Sequence, residues 1–158
     1  MSTHFPQVLA EFGQRMGLPD LAVDAMGHCA LQLDVVQLHM LWLQEERNLL
    51  CYCPLGSIHP ETHGQLIWQL MAANNFYLGT RGATLSWDDA SHQCHLSLLL
   101  DSEHLTVNHF EQSVQQLVNT AEHWSQRISQ SMQPSADAKS EPAVTALDLP
   151  TAFFGQMA

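Results

Sequence analysis

Phe5, Val8, Leu9, Phe12 and Met16 recur every three or four positions at the start of the chain, which predicts an amphipathic helix with one face to bury. Pro6 suits its first position, Gly17 suits the residue just past its end, and Pro19 stops its continuation. From His28 the period shortens. The runs HCALQL, QLHMLWLQ and NLLCYCPLG, separated by the turn-like clusters DVV and EERN, predict three strands. In the first, Cys29, Leu31 and Leu33 share one side while His28, Ala30 and Gln32 share the other. The next two are apolar on both sides: Leu38, Met40 and Trp42 oppose Leu41 and Leu43, and Leu49, Cys51 and Cys53 oppose Leu50 and Tyr52. Strands of that kind predict a sheet covered on both faces.

A second helix is predicted from near Pro60, and Leu66, Ile67, Trp68, Leu70 and Met71 leave its second half without a polar stripe. Such a helix is expected to be buried by its own sheet and by a further element or subunit. NNFYLGTRGATLSW then supplies turn glycines and a strand, DDAS a turn, and HQCHLSLLL the returning strand. In that strand His92, Cys94, Leu96, Leu98 and Leu100 share one face, and Gln93, His95, Ser97 and Leu99 share the other. The last helix opens at Thr106 as N-cap, with Leu105 and Phe110 placed as a hydrophobic staple. Val107, Phe110, Val114, Leu117, Ala121, Trp124 and Ile128 then form one stripe, which reads as a long helix packed on a sheet.

The order α-β-β-β-α-β-β-α predicts an α+β domain over residues 1–132, a twisted antiparallel sheet packed by helices. QPSADAKSEPAV opens a tail, 133–158, with the composition of a flexible segment and a short apolar end, LDLPTAFFGQMA.

Charge narrows the partners. Sixteen acidic residues against five Lys and Arg give a net charge of −11, and five cations cannot neutralise a run of phosphates. Nucleic acid and anionic membrane are therefore excluded as expected partners. No long apolar run or basic leader is present, so membrane insertion is not expected and a cytosolic location is. The four cysteines, Cys29, Cys51, Cys53 and Cys94, sit within apolar strand-like runs and are expected to be reduced and buried.

Ten histidines invite a metal reading, above all in WDDASHQCHLSLLLD. Cys51 and Cys53 lie on one side of a strand, but CxC alone is a weak metal signal. His59 and His63 lack the HExxH frame, and His92, Cys94 and His95 offer at most two ligands from one face. No Gly-x-Ser-x-Gly turn and no phosphate-binding glycine loop occurs. We therefore expect no metal, no cofactor and no catalysis. The positive signal is apolar surface in excess of the elements able to cover it.

The opening helix FPQVLAEFGQRMGLP, the strand HCALQLD, the passage LIWQLMAANNFYLGTRGATLSWD and the segment HLSLLLDSEHLTVNHFEQSVQQLVNTAEHW together resemble the Tir chaperone (CesT) family, the class I chaperones of bacterial type III secretion. The resemblance spans roughly residues 5 to 132. It implies a bacterial cytoplasmic homodimer that binds the amino-terminal region of a secreted effector, keeps it soluble and secretion-competent, and delivers it to the secretion apparatus, with the secretion ATPase as a further partner. By position it implies Phe12, Met16, Leu41, Leu43 and Tyr52 as client contacts and Leu66, Trp68, Met71 and Phe76 as dimer contacts. Burial in the subunit's own core is the competing reading for each. The alternatives are a metal-binding protein using Cys51, Cys53, His92 and Cys94, and a homodimeric scaffold without a client.

Overall fold

The computed structural model describes residues 4–133; the tail expected from 133 onward falls, beyond its first residue, outside the described residues. The elements run α1 (His4–Arg15), β1 (His28–Leu33), β2 (Val36–Leu43), β3 (Asn48–Ser57), α2 (Pro60–Ala73), β4 (Thr84–Trp87), β5 (Gln93–Asp101) and α3 (Val107–Ser131), with a short 3-10 turn at Asn75–Tyr77. This is the expected order. The five strands form one antiparallel sheet in the order β1-β2-β3-β5-β4.

Local chemistry sets the ends. At the close of α1, Gly17 takes φ 74° and donates to Gln14 O, while Leu18 N donates to Gly13 O at 2.7 Å. That paired closure is a Schellman motif and needs a residue at ease in the left-handed region. Pro6 is the third residue of α1, not its first; the first four N–H groups of a helix have no partner within it, so nothing is lost there. Thr106 accepts from His109 N, and Leu105 and Phe110 are both buried, as the cap and staple require. α2 starts with Pro60 at its first turn and is bent at His63, whose φ of −130° is not helical.

Pro54 lies inside β3, a central strand, where its missing N–H would break a ladder bond. The register shift between Pro54 and Gly56 absorbs it as a bulge. The edge strand β4 is closed differently. Asn74, just past α2, accepts from Leu85 N at 2.8 Å and donates to Leu85 O at 2.9 Å, imitating one residue of a neighbouring strand. The amide side chain thus occupies the only full residue of pairing a four-residue edge strand could offer at its middle.

All three helices pack on the same face of the sheet. Val36, Leu38 and Met40 of β2, Leu49, Cys51, Cys53 and Leu55 of β3, and Cys94, Leu96 and Leu100 of β5 point to that side and are buried. Against them lie Phe5, Leu9 and Phe12 of α1, Leu66 and Leu70 of α2, and the α3 stripe from Phe110 to Ile128. Phe110 is the pivot, with Phe5 and Phe12 edge-on to it at ring distances of 5.8 and 5.0 Å. Trp124 Nε1 donates to Gly79 O at 3.0 Å, satisfying the one polar atom of that indole. The expectation of cover on both faces holds for one face only. No described helix packs on the other.

The four cysteines are free and buried on the helix side. Burial raises their thiols, to about 12 for Cys51 and Cys53 and about 11 for Cys94, because the thiolate would be desolvated. The same burial raises Cys29.

Two outcomes follow. Phe110→Ala removes the ring on which α1 is seated and should lower unfolding free energy by about 3–5 kcal/mol, measured by urea titration. The thiols should resist alkylation by iodoacetamide at pH 8 in the native protein and react on unfolding. Because the fold raises their pKa values, the associated stability is present below the unfolded thiol value and is lost as pH climbs toward 12. A single thiol alkylated rapidly in the native state would show that its strand is not buried.

Candidate functional site

The uncovered face of the sheet is built from the alternate positions of its strands. β2 contributes His39, Leu41 and Leu43, β3 contributes Leu50, Tyr52 and Pro54, and β5 contributes His95, Ser97 and Leu99. All but Leu99 are half-buried, by their neighbours within the face, and Leu99 is exposed. A row of rings crosses this face. His28 Nε2 and His39 Nδ1 lie 3.1 Å apart, one donating and the other accepting. His39 stacks on Tyr52 at 4.8 Å and 8°, and Tyr52 meets His95 edge-on at 6.0 Å. The His39↔Tyr52 pairing puts those two rings directly opposite, and His28 and His95 reach them diagonally.

Desolvation first, then the nearby His28 and His95, hold His39 below the ordinary histidine range. The row is therefore neutral at its centre near neutral pH, in a face of mixed apolar and polar side chains on an acidic protein.

The edge beside this face is open. Asp24 closes only the first residue of β1, its carboxylate accepting from His28 N at 2.9 Å and its own N–H donating to His28 O at 2.8 Å. Those bonds show that the backbone groups of His28 point away from β2. By the alternation of an antiparallel ladder, the N–H and C=O groups of Ala30 and Gln32 do the same. α1 stands next to this edge. Between α1 and α3 a hollow of about 210 Å³ is lined by Phe12, Met16, Leu33 and Val118, with Glu111 and Glu122 on its rim.

The residues expected at the client surface are thus divided. Leu41, Leu43 and Tyr52 share the open face. Met16, 48% exposed, lies beside the hollow next to α1, whereas Phe12 is 2% exposed and packed on Phe110, so the core takes most of its surface. The residues expected at a dimer contact divide too. Trp68 at 66% exposure, Met71, and Phe76 at 85% exposure form an apolar patch on α2 and the turn after it, continued by Tyr77 and Leu78. Leu66, at 4%, faces inward and belongs to the core.

WDDASHQCHLSLLLD is shared among four duties. Asp88 accepts from Ser91 Oγ and from Ala90 N, which builds the turn and lowers its pKa, the Ser91 bond most of all. His92, with φ 57°, stacks on Trp87 at 5.8 Å. Cys94 enters the core and His95 the open face. Among the described residues no three His, Cys, Asp or Glu side chains converge to hold a metal ion.

The histidine row and the Asn74 closure were missed from sequence. His28 and His95 could be assigned to strand faces from alternation, but their meeting depends on the register of four strands. No helix of the described residues is long and apolar enough to cross a membrane.

Known proteins share this architecture. The chain is 29% identical over 119 residues to the transcriptional anti-antiactivator ExsC of Pseudomonas aeruginosa, covering 75% of this chain and 81% of that protein. The crystal structure of the ExsC–ExsE complex matches with a TM-score of 0.66 at 26% identity, over 87% of this chain and all of the matched chain. The HopA1–SchA chaperone–effector complex matches with a TM-score of 0.66 at 21% identity, over 78% of this chain and 94% of the matched chain, which is a likeness of fold. Residues 7–125 match the Tir chaperone protein (CesT) family, and the chain belongs to that family.

Proposed function

We propose that this chain is a homodimeric chaperone whose client, the amino-terminal region of a secreted effector, lies extended along the β1 edge and across the open sheet face. Effector binding as a type III secretion chaperone is the function that its family carries. The observation that carries the finer reading is the juxtaposition, among the described residues, of an unpaired strand edge with a partly apolar face. An extended chain can pair its backbone with Ala30 and Gln32 while alternate side chains reach the apolar surface beside them. Ordering such a client costs conformational entropy, so the surface must be long, and two copies of the chain double it.

The patch of Trp68, Met71 and Phe76 serves the second copy in this reading. It lies on the α2 side, which packs with β4, the strand at the opposite edge from β1. Delivery to the secretion apparatus, contact with its ATPase and a bacterial cytoplasmic location accompany this role. The function asks for no cofactor and no catalytic group, only surface. The likeness to an anti-antiactivator supports a second use, in which the chain binds a regulatory protein.

Native mass spectra of the protein taken from its own host under secretion-inducing conditions test the reading. A dimer carrying one larger effector supports it, and a dimer carrying a transcriptional regulator supports the second use. A protein that carries neither, in cells actively secreting, counts against both.

Trp68→Glu should raise the dimer dissociation constant by at least about a hundredfold, since a carboxylate would be buried unpaired. A folded dimer of unchanged mass in sedimentation analysis would remove α2 from the interface. Replacing Met16 and Leu41 together by Ser should weaken client capture by about tenfold or more, through lost apolar contact. The melting temperature should change little, because neither side chain is fully buried. A collapse in Tm with unchanged capture would place both residues in the core instead.

A further inference from the structure

The loop that follows α2 carries a cation with no carboxylate to meet it. Arg15 is paired with Glu11 and Glu111, Arg47 with Glu103, and Arg127 lies over Trp124 and donates to Gln69. Among the described residues Arg81 has none of these, in a chain of net charge −11. Its backbone is firmly held even so. Arg81 has φ 53°, its N–H donates to Tyr77 O at 2.9 Å, and its carbonyl accepts from Gln116 Nε2 at 2.6 Å. Two residues earlier, Gly79 O accepts from Trp124. Two α3 side chains thus fix the loop in a backbone conformation that an arginine adopts at a cost, which points to a position that matters.

Arg81 borders a hollow of about 330 Å³ between this loop, β5 and α3. Its apolar floor is Ala83, Leu98, Leu100 and Leu117. Among its polar lining, Thr80 is 1% exposed, and its Oγ1 is buried with no hydrogen-bond partner. A buried hydroxyl without a partner is unfavourable unless something arrives to accept its proton. The hollow stays open because β4 ends at the Thr84↔Ser97 pair, leaving Leu98 to Asp101 without a strand on that side. Among the described residues Glu111 lines the adjoining hollow and is already held by Arg15 at 3.1 Å.

Arg81, the Thr80 hydroxyl, the polar side chains of His109, Gln112, Ser113 and Gln116 and an apolar floor together suit a monoanion on a short aliphatic stem. A phosphate dianion would face the whole acidic chain with a single arginine, and a basic side chain would meet Arg81 head-on. We propose that this hollow is a carboxylate-binding site, filled in the dimer by an acidic side chain of the second copy. The choice of occupant rests on the dimer reading above: Phe76, Tyr77 and Leu78 join the α2 patch to Arg81 within one loop. Two chains of charge −11 repel as they associate, and an unpaired arginine at the margin of the patch offsets part of that repulsion.

Sedimentation equilibrium on the full chain tests this with N-acetylglutamate as probe, N-acetylglutamine as its uncharged counterpart, and ionic strength matched with chloride. Arg81→Gln should raise the dimer dissociation constant by about tenfold, the loss of one charge-assisted contact. The glutamate probe should raise the constant of the parent protein, the glutamine analogue should not, and neither should affect Arg81→Gln. Equal constants for parent and variant, indifferent to the probe, overturn the proposal. A parent protein that is monomeric at all concentrations contradicts the dimer reading itself. The pocket is then judged alone, by saturable shifts of the Thr80 to Ala83 amide resonances with the glutamate probe that Arg81→Gln abolishes; their absence overturns it as well.

Discussion

A five-stranded sheet has two faces, and the described residues supply helices for one. Everything distinctive about its surface follows from that constraint. The buried face holds a close-packed core in which Phe110 seats α1 and the α3 stripe covers β3. The other face is paved by the alternate positions of the same strands, so its composition is tied residue by residue to the register of the core. A slip of one position in β2 would bring His39 and Leu41 inward and send Leu38 and Met40 out. The half-apolar outer face is therefore held in place by the full depth of the core beneath it.

The two edges of the sheet are as unequal as its faces. At one end Asn74 occupies the pairing groups of Leu85, and the exposed side chains of α2 and its following turn stand nearby. At the other, β1 is closed only at His28, and Ala30 and Gln32 remain available beside α1. In the proposed reading, a strand added to the sheet by β-augmentation would be directed to β1, and association through Trp68 and Phe76 would take place at the far end. The sheet would then separate client and partner copy by its full width, so binding of one would not obstruct the other.

Much of this was legible in the chain. Helical spacing located α1 and α3, and the charged and polar clusters located the turns, because one buried stripe per helix and one turn per hairpin leave strong local signals. The expectation that both faces of β2 and β3 would be covered went further than one subunit allows. Apolar residues on both sides of a strand state a need for cover without saying whose it is. Phe12 and Met16 belong to one helical stripe, yet one is buried on Phe110 and the other, past the last turn of α1, is displayed. Leu66 and Trp68 are parted in the same way by the side of α2 that faces the sheet. The histidine row, the Asn74 closure and the Thr80 hydroxyl depend on contacts between distant segments, which no local pattern reveals.

The histidine row also bears on how an apolar binding face can stand exposed in an acidic protein. A purely aliphatic face would invite its own aggregation, and a charged one would penalise the apolar side chains it must receive. The neutral His39 imidazole answers both demands, since it can hydrogen-bond when the face is empty and present ring surface when it is filled. His39 occupies the critical place, stacked on Tyr52 and bonded to His28, with Leu41 on its own strand. A proton there would be desolvated and would stand close to two further imidazoles, and these are the causes that hold its pKa down. Near neutral pH the net negative charge discourages non-specific aggregation, while the desolvated His39 adds no charge to the face that the proposed client would meet.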